Sequence, residues 1–556
     1  MQKSKKKAGK GNSQKDNAKE APVLSLKEQL AQKRQAIRER KEFIQFTTIM
    51  VFASILLGAI LFAVGGVKAA GLASAIPAFG YSYKYPRKAL WAFMIYMPFA
   101  GSVTYALGGN SLLQLAKDAF YVPALASLLL NWKKENKKEA FWKPKEISST
   151  LWLLIGVCCL TLFFVNGAQQ MRPEGGDKPF LLGLLGMKVF LGYIPLISAT
   201  YHLIRSRKEF LFLSRLHVVL VIVCCALAFV QYMMLETGRC QGTRGLTGNQ
   251  LFQASIEARC FVGGALLYTP EEGVIRLPGT FVAPWQWGWF LIANAYFSFG
   301  AAFNDPSILW RGMGLLAMVV DTVLAVISGQ RIALALVPVS FAILLVLTGQ
   351  LANLKRFIPI AVGLAVLLGV GYAMFPDVVQ ERIDSFTGRW EAAPADEFIL
   401  HQLEFTWKNL KGSLIGLGIG RATNSARIFG EVTLIETWFP KVMHEIGPVG
   451  LIAFLIFVSH LTWLTFRAYR GTKDPNLRGY AASFWVFVLF ISYNTYYYPL
   501  DVDPVAIYYW IFAGALLKLP VIDRQERELL EASGEAPLDG KAAKKKRLQQ
   551  RTVPAS

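Results

Sequence analysis

The stretch ETWFPKVMHEIGPVGL places several ionisable side chains at the start of an apolar run. Among them, Glu436, His444 and Glu445 could take part in acid–base chemistry. An ionisable residue at the edge of a membrane span is costly unless it has a function, so each is a candidate. The alternatives are structural: Glu436 caps the following helix or pairs with an arginine, and His444 is a buried, hydrogen-bonded histidine. Glu445 then holds a helix bend or packs against a loop.

The segment 377–440 mixes arginine, carboxylate and tryptophan side chains. Its arginines include Arg389, Arg421 and Arg427, and Trp438 lies near its end. Arginine makes bidentate contacts with phosphate oxygens, and aromatic faces can stack on sugar rings. This composition therefore suits a carbohydrate and phosphate site. The alternative is an ordinary loop with tryptophans anchored at the membrane interface.

Arg331 follows SGQ at the start of another apolar run. A cation at a helix N-terminus opposes the macrodipole, so a bound anion would favour it there. Snorkelling of the side chain to the interface is the alternative. Asp501 and Asp503 form an Asp-x-Asp pattern, which binds a metal in many glycosyltransferases. Because it lies in the last predicted external connection, we expect no metal site.

The composition is typical of an integral membrane protein. Of 556 residues, 54% are hydrophobic and only 17% are charged, and the apolar runs are mostly near the length that crosses a bilayer. We predict an all-α, polytopic membrane protein of about fourteen transmembrane helices with one large extracytoplasmic loop. The predicted spans are 43–64, 68–82, 89–107, 116–131, 147–167, 180–203, 210–235, 283–303, 308–328, 332–349, 357–376, 441–466, 479–499 and 504–519.

Charge bias sets the expected orientation and the division of the chain. Most connections on one side carry two or more Lys or Arg, which places that side and both termini in the cytoplasm. We predict a basic tail with an amphipathic helix over 1–42, a transmembrane bundle over 43–376 and the large loop over 377–440. C-terminal transmembrane helices follow over 441–519, and a second basic tail over 520–556. We expect the tails to lie on anionic membrane lipid rather than on nucleic acid.

Cysteine placement agrees with this orientation. Cys240 and Cys260 lie in a polar connection predicted to be external, where a disulfide can persist. Two free thiols are the alternative.

Two motifs resemble the O-antigen ligase and polymerase superfamily. SGQRIALAL is similar to a Ser-Arg-Gly-type motif at the start of a helix, with Arg331 at its arginine. ETWFPKVMHEIGPVGL is similar to a motif that follows the large loop, with Phe439 on its tyrosine, Glu445 on its glutamate, and Gly447 and Gly450 on its glycines. LIGLGIGRA resembles a glycine-rich turn of the family's loop. The resemblance is specific over roughly 308–466 and topological elsewhere.

One departure concerns the family's His-Asn pair, whose position is held by Glu436 and Thr437. His444 lies eight residues after Glu436 and does not replace that histidine. The substitution favours a polymerase over a lipid A ligase. General features are also similar to cyanobacterial proteins of hormogonium polysaccharide synthesis.

The resemblance implies a metal-independent glycosyltransferase of the bacterial inner membrane, without cofactors. Its donor is a lipid-linked oligosaccharide on undecaprenyl pyrophosphate, and an acceptor sugar hydroxyl attacks the anomeric carbon. Glu436 is then the candidate general base, and Thr437 could cap the helix that follows. Arg331 and Arg421 stabilise the leaving diphosphate, with Arg389 and Arg427 behind them. Polysaccharide export or chain-length proteins are the expected partners.

Lys188 and Asp321 lie at matching depths in two predicted spans, 180–203 and 308–328. They either pair with each other, or Lys188 contacts the pyrophosphate. Three other functions stay open: ligase-type transfer to another acceptor, a transporter or flippase without catalysis, and a scaffold that recruits other enzymes.

Overall fold

The computed structural model describes residues 26–73, 75–106, 116–135, 141, 144–173, 175–243, 259–263, 267–269, 274–349, 369, 372–373, 376–392 and 394–532. These residues are almost entirely helical, which confirms the predicted all-α class. The α-helices run Leu26–Leu72, Ala75–Lys84, Pro86–Tyr96, Ala100–Ala106, Ala116–Glu135, Ile147–Thr161, Gly167–Met171, Pro179–Leu191, Leu196–Leu203, Arg207–Glu236, Pro284–Asn304, Ile308–Ile327, Arg331–Leu347, Pro376–Ala392, Ala395–Leu410, Trp438–Gly471, Pro475–Tyr493 and Val505–Ala532.

Eight helices within the described ranges are long and apolar enough to cross a membrane. The protein is therefore a polytopic membrane protein. Two further predicted spans form the helices Pro284–Asn304 and Pro475–Tyr493, which lie inside the bundle. The predicted span 357–376 falls almost wholly outside the described residues. The segment expected to be amphipathic and the first span form one helix, which begins at Leu26 and is interrupted by non-helical backbone at Gly66.

The helix Pro284–Asn304 forms the centre of the core. Its residues are apolar on nearly every side, as expected for a helix surrounded by other helices. Trp287, Phe290 and Tyr296 are fully buried. Phe297 stacks on Phe512 with ring centroids 3.8 Å apart, which packs the C-terminal helix against it.

Polar connections gather at one end of the bundle, called here the loop end, which carries Arg331, Glu436 and Asp501. The backbone N–H of Leu277 donates to the Ser328 carbonyl at 2.8 Å, and that of Lys178 donates to the Phe429 carbonyl at 2.7 Å. A short antiparallel strand pair, Leu267–Thr269 with Val274–Arg276, lies in the same connection as Leu277. Segments far apart in the chain thus form one surface.

Arginine ion pairs mark the opposite end. Arg207 contacts Asp474 and Glu526, and Arg215 donates to both oxygens of Asp305. The prediction that this basic end faces the cytoplasm stays a prediction.

The large loop is more ordered than the sequence indicated. Residues 377–440 contain two helices, Pro376–Ala392 and Ala395–Leu410, here called the first and second loop helices. A short 3₁₀ segment, Asn424–Phe429, precedes the next long helix.

Candidate functional site

The helix Trp438–Gly471, called the kinked helix, is broken near its first third. Gly447 has φ 74° and ψ 177°, which is not helical, and Pro448 follows it. Proline has no backbone N–H, so the carbonyl of His444, four residues earlier, loses its usual donor. The break therefore leaves backbone groups that need partners from elsewhere.

The segment LIGLGIGR, residues 414–421, supplies those partners and is called the glycine loop. Leu417 N–H donates to the His444 carbonyl at 2.8 Å, and Gly418 N–H donates to the Glu445 carbonyl at 3.2 Å. In return, Val449 N–H donates to the Leu414 carbonyl at 3.3 Å. The glycine loop thus replaces the missing helical hydrogen bonds.

Close backbone contact explains two of the glycines. A Cβ on Gly447 would lie 2.1 Å from the Leu414 carbonyl oxygen, and one on Gly416 would lie 2.4 Å from the Glu445 carbonyl oxygen. Both positions also have positive φ. Glycine is the residue that tolerates both conditions.

Three side chains hold the other edge of the glycine loop. Thr161, Asn166 and Gln169 donate to the carbonyls of Ile415, Ile419 and Leu417, at 2.8 to 3.0 Å. A π-helical segment, Leu162–Asn166, begins directly after Thr161 and ends at Asn166. Its wider turn brings residues five apart onto one face, so both can reach the loop.

Glu445 accepts hydrogen bonds from the two residues that follow Arg421, the last residue of the glycine loop. It is only 5% exposed, and its Oε1 accepts from Ala422 N–H and from the Thr423 hydroxyl, both at 2.9 Å. These contacts are those of a residue that packs against a loop, the structural alternative predicted for Glu445.

Arg421, the last residue of the glycine loop, is also held by hydrogen bonds. Its Nε and Nη2 donate to Gln169, and its Nη1 donates to Asp177 at 2.9 Å and to the Glu431 carbonyl at 3.2 Å. Four hydrogen bonds to three partners brace the loop. Arg421 was predicted to bind diphosphate, but these contacts give it a structural task.

A small, partly open pocket lies beside the N-terminal part of the kinked helix. Trp438, Lys441, Glu445 and Asp501 line it, together with Val189, Phe190, Thr423, Val442 and Ile446. The Lys441 ammonium forms a buried ion pair with Asp501. It also lies 5.4 Å from the ring centroid of Tyr498. The pocket thus combines an aromatic wall with fixed charges.

Glu436 lies next to this group, at the start of the kinked helix. Its backbone N–H donates to Gln402 of the second loop helix at 3.2 Å. Burial first, and then the charges of Glu436 and Asp501, raise the pKa of the Tyr498 hydroxyl well above its usual range. Glu436 and Asp501 therefore both act on the same tyrosine.

The helix N-terminus is capped differently from the prediction. Thr437 occupies the cap position, but its hydroxyl makes no capping hydrogen bond. Thr495 replaces it: its carbonyl accepts from Trp438 N–H at 2.6 Å, and its hydroxyl accepts from Phe439 N–H at 3.1 Å. The last connection of the bundle therefore holds the first turn of the kinked helix, which directly follows Glu436 and Thr437.

The proposed pair between Lys188 and Asp321 is wrong. Lys188 Nζ donates to Asp118 at 2.7 Å. Asp321 is fully buried, and neither of its carboxylate oxygens has a hydrogen-bond partner among the described residues. Depth in the membrane was a poor guide because it does not specify which faces of two helices meet.

Both aspartates of the Asp-x-Asp pattern form ion pairs in this structure. Asp501 pairs with Lys441, and Asp503 pairs with Lys117. Among the described residues, no group of three or more metal-ligating side chains occurs. Each aspartate thus balances the charge of a lysine from another helix.

Arg331 and Arg382 form the second cationic part of the loop end. Arg331 donates to the Ser385 hydroxyl through Nε at 3.2 Å and Nη2 at 2.9 Å. Arg382 lies on the first loop helix, one turn before Ser385, and is only 4% exposed. Its Nε and Nη1 make no hydrogen bond in the described part of the chain. Buried arginine donors without partners are unusual and suit an anion.

Arg427, His444 and the two cysteines do not line the pocket. Arg427 is exposed and donates to Asn424. Arg389 lies in the first loop helix, but its side chain falls outside the described part of the structure. His444 is buried, and its Nδ1 has no partner among the described residues. Cys240 and Cys260 form a disulfide, with Cα atoms 5.6 Å apart.

Sequence reasoning missed Lys441, Lys117, Asp118 and Arg382 as site residues. Lys441 had a usable signal, because it is a cation near the start of an apolar run, as Lys188 is. Arg382 belongs to the arginine-rich segment 377–440, but only tertiary packing, which buries it, distinguishes it from the other arginines there.

No family model matches this chain, and no curated protein matches it. The resemblance to the O-antigen ligase and polymerase superfamily therefore depends on the two motifs and the glycine-rich turn.

Proposed function

We propose that this protein is a polysaccharide polymerase that joins lipid-linked glycan units at the loop end of its bundle. One observation carries the proposal. The two motif-bearing helix starts and the glycine-rich turn gather at one end, where a charged and aromatic pocket adjoins Glu436. A glycosyltransferase that uses a diphosphate donor needs a base, cations and a sugar-binding wall together.

Glu436 is the general base in this proposal. It accepts the proton of the acceptor hydroxyl while that oxygen forms a bond to the donor's anomeric carbon. The bond from that carbon to the lipid diphosphate breaks, and the diphosphate leaves with the bonding electron pair. The Gln402 and Thr495 contacts hold this part of the chain, so Glu436 is positioned before substrate binds.

Arg331 and Arg382 bind the leaving diphosphate. Arginine suits this role because its planar donors match phosphate oxygens and its charge persists at all working pH values. Arg382 joins the predicted Arg331 here, because its buried Nε and Nη1 have no partner in the described residues. Arg421 and Glu445 hold the glycine loop instead, and Trp438 forms part of the pocket wall.

The test is polymer production in cells of the source organism that carry Glu436→Gln in place of the native chain. Secreted polymer and lipid-linked glycan are measured together, with the membrane level of the protein. We expect loss of polymer and accumulation of short lipid-linked glycan. Glu404→Gln is the matched control, since Glu404 is an exposed carboxylate of the same loop that pairs with Lys408, and it should leave polymer unchanged.

Two outcomes would contradict the proposal. Normal polymer in the Glu436→Gln cells at normal protein level would remove Glu436 from the chemistry. Long lipid-linked polymer that is not transferred onward would indicate a ligase.

A further inference from the structure

The second loop helix, Ala395–Leu410, has three distinct sides. One side faces the protein and carries Phe398, Gln402 and Thr406, which are four residues apart. Phe398 stacks with Tyr497, and Gln402 accepts a hydrogen bond from the Glu436 backbone N–H. Thr406 is buried. Residues at this spacing share one face of a helix. This side fixes the helix against the candidate site.

A second side is apolar and exposed. Leu400, Leu403 and Trp407 are 62%, 39% and 64% exposed, and their spacing of three and four residues forms one stripe. No described residue covers this stripe. A third side is polar and exposed, with Glu397, His401, Glu404 and Lys408 in a parallel stripe.

The apolar stripe leads toward the lipid-facing surface of the bundle. The kinked helix exposes Val449, Ile452 and Ile456 at helical spacing, as a transmembrane helix does toward lipid. Val449 N–H donates to the carbonyl of Leu414, which is 65% exposed and lies four residues after the second loop helix ends. The chain that leaves the second loop helix therefore reaches the exposed apolar side of the kinked helix at Leu414.

We propose that the second loop helix lies on the bilayer surface. Its apolar stripe enters the boundary between lipid headgroups and acyl chains, and its polar stripe faces water. A helix with packed, apolar and charged sides in this order matches an interfacial helix, and tryptophan is favoured at that depth. Docking of this helix on lipid then fixes the position of Gln402, and through it the backbone of Glu436, relative to the membrane. The inference is independent of the proposed polymerase activity.

Spin labels on single added cysteines test this placement in the full chain, reconstituted in lipid nanodiscs. Leu403→Cys and Trp407→Cys report on the apolar stripe, and Glu404→Cys and Lys408→Cys are their matched controls on the polar stripe. Collision with oxygen, which concentrates in hydrocarbon, is compared with collision with a water-soluble nickel chelate. The labelled chain without an added cysteine measures the background from the four free cysteines.

We expect a higher oxygen-to-nickel ratio at the two apolar positions than at the two polar ones. Equal, water-like nickel access at all four positions would overturn the proposal. Protection from both reagents at the apolar positions would also overturn it, because protein rather than lipid would then cover the stripe.

A second measurement needs no added cysteine. Brominated lipids quench tryptophans that reach the membrane boundary, so Trp407→Phe should reduce the fluorescence intensity that is lost to quenching. Trp287→Phe is the control, since Trp287 is fully buried in the core and its removal should leave the quenched signal unchanged. An unchanged quenched signal in Trp407→Phe would contradict membrane docking.

Discussion

The backbone N–H of Leu417 donates to the carbonyl of His444 at 2.8 Å, in place of the donor that Pro448 lacks. A proline that breaks a helix normally leaves this carbonyl to water or to a side chain. Here a loop from outside the helix fills the gap. The position of the glycine loop and the bend of the kinked helix are consequently one structural feature.

Gly447→Ala should destabilise the protein strongly. The new methyl would lie 2.1 Å from a backbone oxygen, and the φ of 74° with extended ψ adds strain on the order of 1–3 kcal/mol. Thermal unfolding in detergent measures the loss. Gly156→Ala is the control, because Gly156 is helical and a methyl added there would have nothing within 4 Å, so it should be neutral or slightly stabilising. Equal unfolding temperatures for the two variants would refute the tight insertion of the loop.

Asn166→Ala should loosen the glycine loop. It removes two hydrogen bonds with the backbone of Ile419 and one with Pro179. Each buried backbone group left without a partner costs about 1–3 kcal/mol. Hydrogen exchange over residues 414–421 should become faster. Asn131→Ala, which changes an exposed asparagine, should leave exchange there unchanged, and slow exchange in both variants would contradict this role of Asn166.

The ion pair of Lys441 and Asp501 should be strongly coupled. Removing one partner leaves a buried charge and should cost about 3–5 kcal/mol, so Lys441→Met and Asp501→Leu are each expected to be unstable. The double variant should lose less stability than the sum of the losses in the two single variants. Thermal unfolding of all four chains gives the coupling, and purely additive losses would argue against the pair.

The exposed pair of Lys408 and Glu404 provides the comparison for this cycle. Both side chains are largely in solvent, at 71% and 63% exposure, so water and salt screen them and their coupling should be much weaker than that of Lys441 and Asp501.

Arg382→Gln should abolish polymer formation while the protein stays in the membrane. The substitution removes the buried cation proposed to hold diphosphate, and such a donor is worth about 2.7–4 kcal/mol in a preorganised site. Secreted polymer and protein level are measured together. Arg427→Gln, at an exposed arginine of the same loop, should retain polymer. Loss in both variants would show that net loop charge, rather than Arg382, is responsible.

The sequence by itself determined the membrane class and most of the helices. Hydropathy and helix length are local properties, so the runs around Arg207–Glu236 and Trp438–Gly471 were recognisable without a fold. The break at Gly447 and Pro448 also follows from local chemistry, because proline lacks the N–H that a helix needs. Composition likewise indicated a loop rich in arginine and tryptophan.

Only the tertiary structure decided which side chains meet. Lys188 pairs with Asp118 rather than Asp321, and Arg382 is buried, because helix rotation and packing set these contacts. Asn166 and Ile419 are 253 residues apart, and no local pattern relates them. Hydrophobic burial is proportional to area and is non-directional, so it brings helices together without specifying polar partners. Those partners depend on the final arrangement of the whole bundle.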